Sequence, residues 1–290
     1  MSEGTAVSDG PGEGREALER QLRRVGTQPD GGIDLAGTAL LLAALERPHR
    51  PLARYRHHLS LLVRDTADLG GAAAAGGDLE ARVAALRAVL VERYGYAGDE
   101  ETYDDLQNAS LLRVIDRRRG LPVALAILWL HAARAQGWQA EGVDFPGHFL
   151  IRLQTGSRRV ILDPFRGGTP LGADALRGLL KAAQGESAEL TPRHYAACGN
   201  RAILLRLQNN IKVRRLRDGA LEAALATLES MLLLEPSDGP LWREAGLLHR
   251  RLENLGAAIL ALDRFLELAP EDPRRPEAAR LVAELRARLN

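Results

Sequence analysis

The chain has 290 residues, 46% of them hydrophobic and 27% charged, which is enough for a full hydrophobic core and two domains. A formal net charge of +1 argues against a dominant phosphate-binding surface, and the single cysteine, Cys198, excludes an intrachain disulfide and an all-cysteine zinc site. There is no apolar stretch of about eighteen residues and no basic leader before an apolar core, so a cytoplasmic protein without membrane contact is expected.

Residues 1–34, opening "MSEGTAVSDGPGEG", carry little that could be buried and read as a disordered lead-in with one short helix over Glu16–Val25. From Leu35 the apolar residues fall at three- and four-residue spacing in "LAGTALLLAALERP" and "LARYRHHLSLLVRDTADL", with Pro48 and Pro51 punctuating the gap. The tract "GGAAAAGGD" at 70–78 reads as a flexible connection, and "LEARVAALRAVLVERYGY" then resumes a helix that stops near Gly95. Asn108 stands where it would cap a helix, "ASLLRVIDRRR", ending at Gly120. Pro122 suits the first turn of the next helix, where a missing N–H costs little, and Gly137 ends that helix. Three runs rich in strand formers follow, "WQAEGVDF", "HFLIRL" and "RVILDPF", after which "RGGTPLG" leaves the sheet. One helix feeding three consecutive strands predicts an α+β unit with an antiparallel sheet packed on the helix, and residues 35–190 are assigned to it.

Residues 191–290 read as helix throughout and contain a repeat. Ala224 aligns with Ala258, Leu228 with Leu262 and Pro236 with Pro270, a spacing of 34 residues, while Trp242 and Gly246 supply a large and a small residue between them. That period resembles tetratricopeptide repeats, paired helices in which small residues permit close crossing and proline ends the second helix. Helices are predicted over 200–217, 220–235, 239–252 and 255–269, with 275–289 as a cap.

Candidate chemistry lies in the α+β unit. His148 follows a Pro-Gly turn at the start of one strand, and Asp163 ends the next, fifteen residues later. A helix carrying a nucleophile in its first turn, then a strand with His and a strand with Asp, is the chain order of papain-like and transglutaminase-like sites. Such cores typically read Gly-x-Cys-x-x-x-Ala at the helix start, whereas this chain reads "GLPVALA", with Pro122 where the thiol would stand. Proline has no nucleophilic atom, so no thioester forms there.

The segments "YDDLQNASLLRVIDRRRGLPVALAILWLHAARAQG", "GVDFPGHFLIRL" and "ILDPFRGGTPL", followed by the repeats, resemble the SirB family of bacterial transglutaminase-like proteins, named as regulators of sirC expression. The pattern Tyr-x-x-x-x-Asn-[Ser/Ala]-x-Leu is met by Tyr103, Asn108, Ala109 and Leu111, though "YDDLQN" departs from the commoner form. The resemblance implies a helical N-terminal region and a transglutaminase-like, papain-like α+β core with a small antiparallel sheet, followed by an all-α repeat stack. It also implies proline at position 122 as a family trait, and it establishes no biochemical activity.

Several features admit two readings. His148 and Asp163 form either the relic of a triad or a structural bond between strands, and both readings place them in contact. Arg118 and Arg119, in "DRRRG", are either an anion-binding patch beside the ancestral cleft, shared with Asn108, or a solvated helix end. The adjacent imidazoles of "RHHL" point in different directions along a helix, and His131, His194 and His249 have no acid partners at metal spacing, so no metal and no cofactor are expected. "KVRRLR" at 212–217 reads as a solvated face rather than a nucleic-acid contact. The repeats either bind a protein or peptide partner or close the core of the preceding domain. Two functions follow: a non-catalytic cytoplasmic interaction or regulatory protein, or a hydrolase or transferase of altered chemistry using His148 and Asp163.

Overall fold

The structure is a computed structural model that describes residues 14–289. The chain divides into two compact units, one of residues 29–207 with those before Glu19, the other of residues 208–290 with Glu19–Gln28. The predicted lead-in is therefore folded over most of its described part. Helix α1, Arg15–Gly26, buries Leu18 and Leu22. In the second unit Gly26 lies so close to Leu233 that a Cβ would stand 2.2 Å from its carbonyl oxygen. The short helix expected over Glu16–Val25 is present as α1, but its burial was not foreseen, because two leucines in a charged helix are a weak signal until a partner surface exists. Residues 1–13 lie outside the described residues.

In the first unit, Asp34 caps α2, Leu35–Ala44, by accepting from the Gly37 N–H at 3.0 Å. Helix α3, Ala53–Ala75, runs through most of the alanine–glycine tract expected to be a flexible connection, kinking at Gly71 (φ 56°). Alanine is the strongest helix former, and burial of Ala74 holds the last turn in place. Asp78 caps α4, Leu79–Arg87, which widens into a π-helical turn over Ala88–Arg93. The two-residue strand β1, Ala97–Gly98, precedes α5, Leu111–Arg117. Ser110, not Asn108, holds the N-cap position of α5; Asn108 sits inside a 3₁₀ turn, Leu106–Ala109. Strand β2, Arg119–Gly120, pairs in parallel with β1 and leads directly into α6, Pro122–Arg134.

Helix α6 is buried nearly all round, as its continuous apolar sequence requires. It packs on the sheet formed by β3 (Gln139–Val143), β4 (Leu150–Thr155), β5 (Arg158–Asp163), β6 (Thr169–Leu171) and β7 (Ala197–Cys198). The strand order is β6-β5-β4-β3-β7, and every pairing is antiparallel. Two strands escaped the sequence reading. "RGGTPLG" does not leave the sheet but returns along β5 as β6, and β7 adds the opposite edge. Both are too short for alternation to register. Helix α7, Ala173–Gln184, covers Val143, Leu150 and Ile161 with Leu176 and Leu180.

Helix α8 spans Asn200–Arg217, and α9 (Leu221–Leu234), α10 (Gly239–Arg251), α11 (Leu255–Leu268) and α12 (Arg275–Leu289) complete the chain. The small residue at 246 has the expected role, since a Cβ there would meet Leu262 at 2.6 Å. Leu262, Phe265, Leu281 and Leu285 form the core between α11 and α12.

Candidate functional site

Local sequence places His148 and Asp163 opposite each other. In "FPGH" the Phe145 carbonyl accepts from the His148 N–H at 2.9 Å, with Gly147 at φ 71°. Proline and then glycine at the centre of such a turn is the type II pattern, and it aims His148 back across the mouth of β4. Asp163 ends β5 and caps the 3₁₀ turn Pro164–Arg166, its Oδ1 accepting from Phe165 N (3.0 Å) and Arg166 N (3.3 Å). The Asp163 carbonyl accepts from Gly168 N at 2.7 Å. Gly168, at φ 72°, brings this turn so close to α6 that a Cβ would stand 2.0 Å from Trp129.

The His148 Nε2 lies 2.9 Å from Asp163 Oδ1. The distance suits an ion pair, but Nε2 lacks the alignment of a hydrogen bond, and Asp163 Oδ2 is buried without a partner. The nearest cation to Oδ2 is Arg166, 4.0 Å away and largely exposed. Asp163 is fully buried, while the His148 side chain keeps 15% of its exposure. Its Nδ1 is not among the buried unpartnered atoms, so this nitrogen is the one turned outward. An aromatic row leads away from the imidazole: His148 meets Phe165 edge-on at 6.1 Å, and Phe165 meets the exposed Tyr103 at 5.8 Å.

The other predicted site residues belong to two saturated clusters. Asn108 is fully buried; its Nδ2 donates to Thr102 O at 2.7 Å and its Oδ1 accepts from Arg117 at 2.8 Å. Both ends of the amide are thus engaged inside the protein, against the expectation that Asn108 meets a ligand. Beside it, Asp99 Oδ1 accepts from Thr102 N, and Oδ2 accepts from the Thr102 hydroxyl and Arg117. Burial alone would raise the Asp99 pKa, but those bonds and one from Asn108 hold it down at about 2.

Arg118 takes a left-handed conformation (φ 60°) and turns inward instead of forming a solvated helix end. Its guanidinium bonds His58 Nε2 at 2.9 Å and the Tyr96 hydroxyl, and it lies over the Tyr96 ring at 4.8 Å. His58 Nε2 and Tyr96 OH are 2.7 Å apart. Burial and then the Arg118 charge lower the His58 pKa to about 4, so the ring is neutral and accepts from arginine. Arg119 is exposed and donates to the carbonyls of Gly95 and Arg118, closing the β1–β2 pair. The sequence reading placed Tyr103 only in the Tyr-x-x-x-x-Asn pattern and weighed His58 only as one of the adjacent imidazoles of "RHHL"; it assigned no site role to Phe165 or Tyr96.

Residues 53–209 match the family described as "Transglutaminase-like superfamily", and residues 211–289 match "Tetratricopeptide repeat". A UPF0162 protein of Xylella fastidiosa (strain Temecula1) is 33% identical over 193 residues, covering 65% of this chain and 68% of its own. A UPF0162 protein of Vibrio cholerae is 32% identical over 197 residues, covering 68% of this chain and 73% of its own. Protein SirB1 of Salmonella typhimurium is 26% identical over 189 residues, covering 65% and 70%. The chain belongs to the SirB family of transglutaminase-like proteins.

In this SirB-family chain Pro122, the residue expected from the sequence at the nucleophile position, is buried at the first turn of α6. The preceding Leu121 N–H donates to Asn108 O at 2.8 Å, so the helix entry is tied to the buried Asn108 turn. Cys198, the chain's one thiol, stands on β7 at the opposite side of β3 from β4. Register aligns it with Gly142 and Ile151, two strand spacings, about 10 Å, from β4 and three residues, about 10 Å, along β4 from His148. Burial and then the Asp144 carboxylate push its thiol up to about 11, the opposite of an activated nucleophile. Among the described residues no cluster of three or more His, Cys, Asp or Glu could hold a metal ion, and no helix is long and apolar enough to cross a membrane.

Proposed function

We propose that this protein is a non-catalytic, cytoplasmic interaction or regulatory protein, in which a degenerate transglutaminase-like unit accompanies repeat helices that bind a protein or peptide. The observation that carries the reading is Pro122: a covalent acyl transfer needs a nucleophile at the helix start, and none is present. The distant, raised-pKa Cys198 supports the same reading. A second reading, a hydrolase or transferase of altered chemistry, draws on the outward Nδ1 of His148 backed by Asp163. A general base of this kind supplies about 10²–10⁴-fold, enough for a measurable hydrolysis of an activated ester.

One experiment separates them. The purified chain is assayed for p-nitrophenyl acetate hydrolysis and for amine incorporation into a glutamine peptide, with His148→Ala alongside. The expected result is the same background rate for both proteins. Turnover in the native chain that His148→Ala abolishes overturns the non-catalytic reading.

A further inference from the structure

The sheet has an incompletely covered edge. Strand β6 pairs with β5 only from Ile161 to Asp163. Arg158, Arg159 and Val160 pair with β4 on one side and, among the described residues, have no strand on the other. Beside this open stretch lies a hollow of about 750 Å³, walled by Leu79, Val83, Ala84 and Ala88 of the α4 segment and by Val160 and Pro170 of the sheet. Successive side chains of a strand point to opposite faces, so a hollow touched by Arg158, Arg159 and Val160 together runs along the strand's edge rather than over one face.

Short edge strands, arginines and proline are the devices by which proteins keep sheet edges from pairing, and β6 with its neighbours has all three. Those devices do not account for an apolar hollow beside the unpaired backbone, of a size that accepts side chains. The rim carries charge. Arg158 is paired with Glu80. Among the described residues Arg87 has no carboxylate partner, while the Arg159 guanidinium lies over the Tyr195 ring on the α7 side of the strand, so Arg87 is the cation at the rim without a carboxylate of its own.

We propose that this edge is a docking site for an extended peptide that takes the lane of β6 beside Arg158–Val160. Its alternate apolar side chains fill the hollow on α4, and an acidic side chain meets Arg87. Backbone pairing supplies affinity and the hollow supplies selectivity, the usual division in strand addition. A second copy of the chain fits less well, because symmetric pairing along this edge sets the Arg158–Arg159 segments of the two copies against each other, and like charges opposed across strands destabilise. The proposal is independent of the repeat helices and of any turnover at His148.

The test pans a random decapeptide display library on the full chain, with Ala84→Arg as counter-bait; Ala84 is exposed, and arginine there fills the hollow. Selected sequences are expected to alternate apolar residues and to carry Asp or Glu. A resynthesised winner, followed by fluorescence anisotropy, is expected to bind at least about tenfold more weakly to Ala84→Arg and to Arg87→Glu. N-methylation of alternate backbone amides is expected to weaken it by about tenfold or more, whereas methylation of the intervening amides has little effect. Failure to enrich any sequence over the counter-bait, selection of basic peptides, or indifference to N-methylation overturns the proposal. So does a dimer in sedimentation that Ala84→Arg dissolves, which assigns the edge to a second copy.

Discussion

Two buried aspartates in the first unit are built on opposite terms. Asp99 has donors on both oxygens, from Thr102 twice and from Arg117, and the neighbouring Asn108 and Arg118 are equally engaged. Asp163 is more deeply buried, yet its Oδ2 has no partner and its His148 neighbour sits at bonding distance without alignment. Buried polar atoms are nearly always satisfied, and those that are not need a reason. The Asp99 and Arg118 clusters read as structure that fixes the 99–120 segment against its surroundings. The His148–Asp163 pair keeps polar atoms that the fold does not use.

This contrast can be broken by mutation. The largest effect is expected at Asp99: Asp99→Ala removes the acceptor shared by Thr102, Asn108 and Arg117 and leaves the part-buried Arg117 without its carboxylate, costing about 3–4 kcal/mol in urea unfolding at pH 7. The next is a pH effect at His58. Its folded pKa of about 4 lies below the unfolded value of 6.5, so the unfolded chain takes up the proton first. Stability from this group is therefore complete above about pH 6.5 and is lost as pH falls toward 4, by on the order of 2–3 kcal/mol. Urea titrations across that range should show the fall, and His58→Gln should flatten it. The smallest effects belong to the open pair: Asp163→Asn, which keeps the Oδ1 cap, and His148→Ala should each shift stability by less than about 1 kcal/mol. A cost at Asp163 equal to that at Asp99 would erase the distinction and make the pair one more structural bond.

How much of this was visible in the sequence follows the range of the interactions. The repeat helices were legible to within a residue or so, because each repeat packs on its neighbour and the 34-residue period carries the whole pattern. Helix α6 and strands β3 to β5 were legible from Pro122, Gly137 and the strand-forming runs. The juxtaposition of His148 with Asp163 was legible only through chain order and family pattern. Arg118 was misread because its partners, His58 and Tyr96, lie 60 and 22 residues away. Asn108 was misread by proximity, since Ser110 two residues later takes the cap position and frees the amide to bind inward. Edge strands β6 and β7, at three and two residues, exist only because the sheet is already there to receive them.

The proline at the head of α6 makes the present state hard to leave. A helix begins with donors that have no acceptor within it, and proline removes one of them while fixing the angle the first turn needs. Putting cysteine there restores a buried N–H at a cost of about 1–3 kcal/mol if no acceptor is at hand. It also returns about 0.4–1 kcal/mol of freedom to the unfolded chain. Wherever that N–H finds no acceptor, a cysteine at the head of α6 lowers folding stability whatever reactivity the thiol would bring.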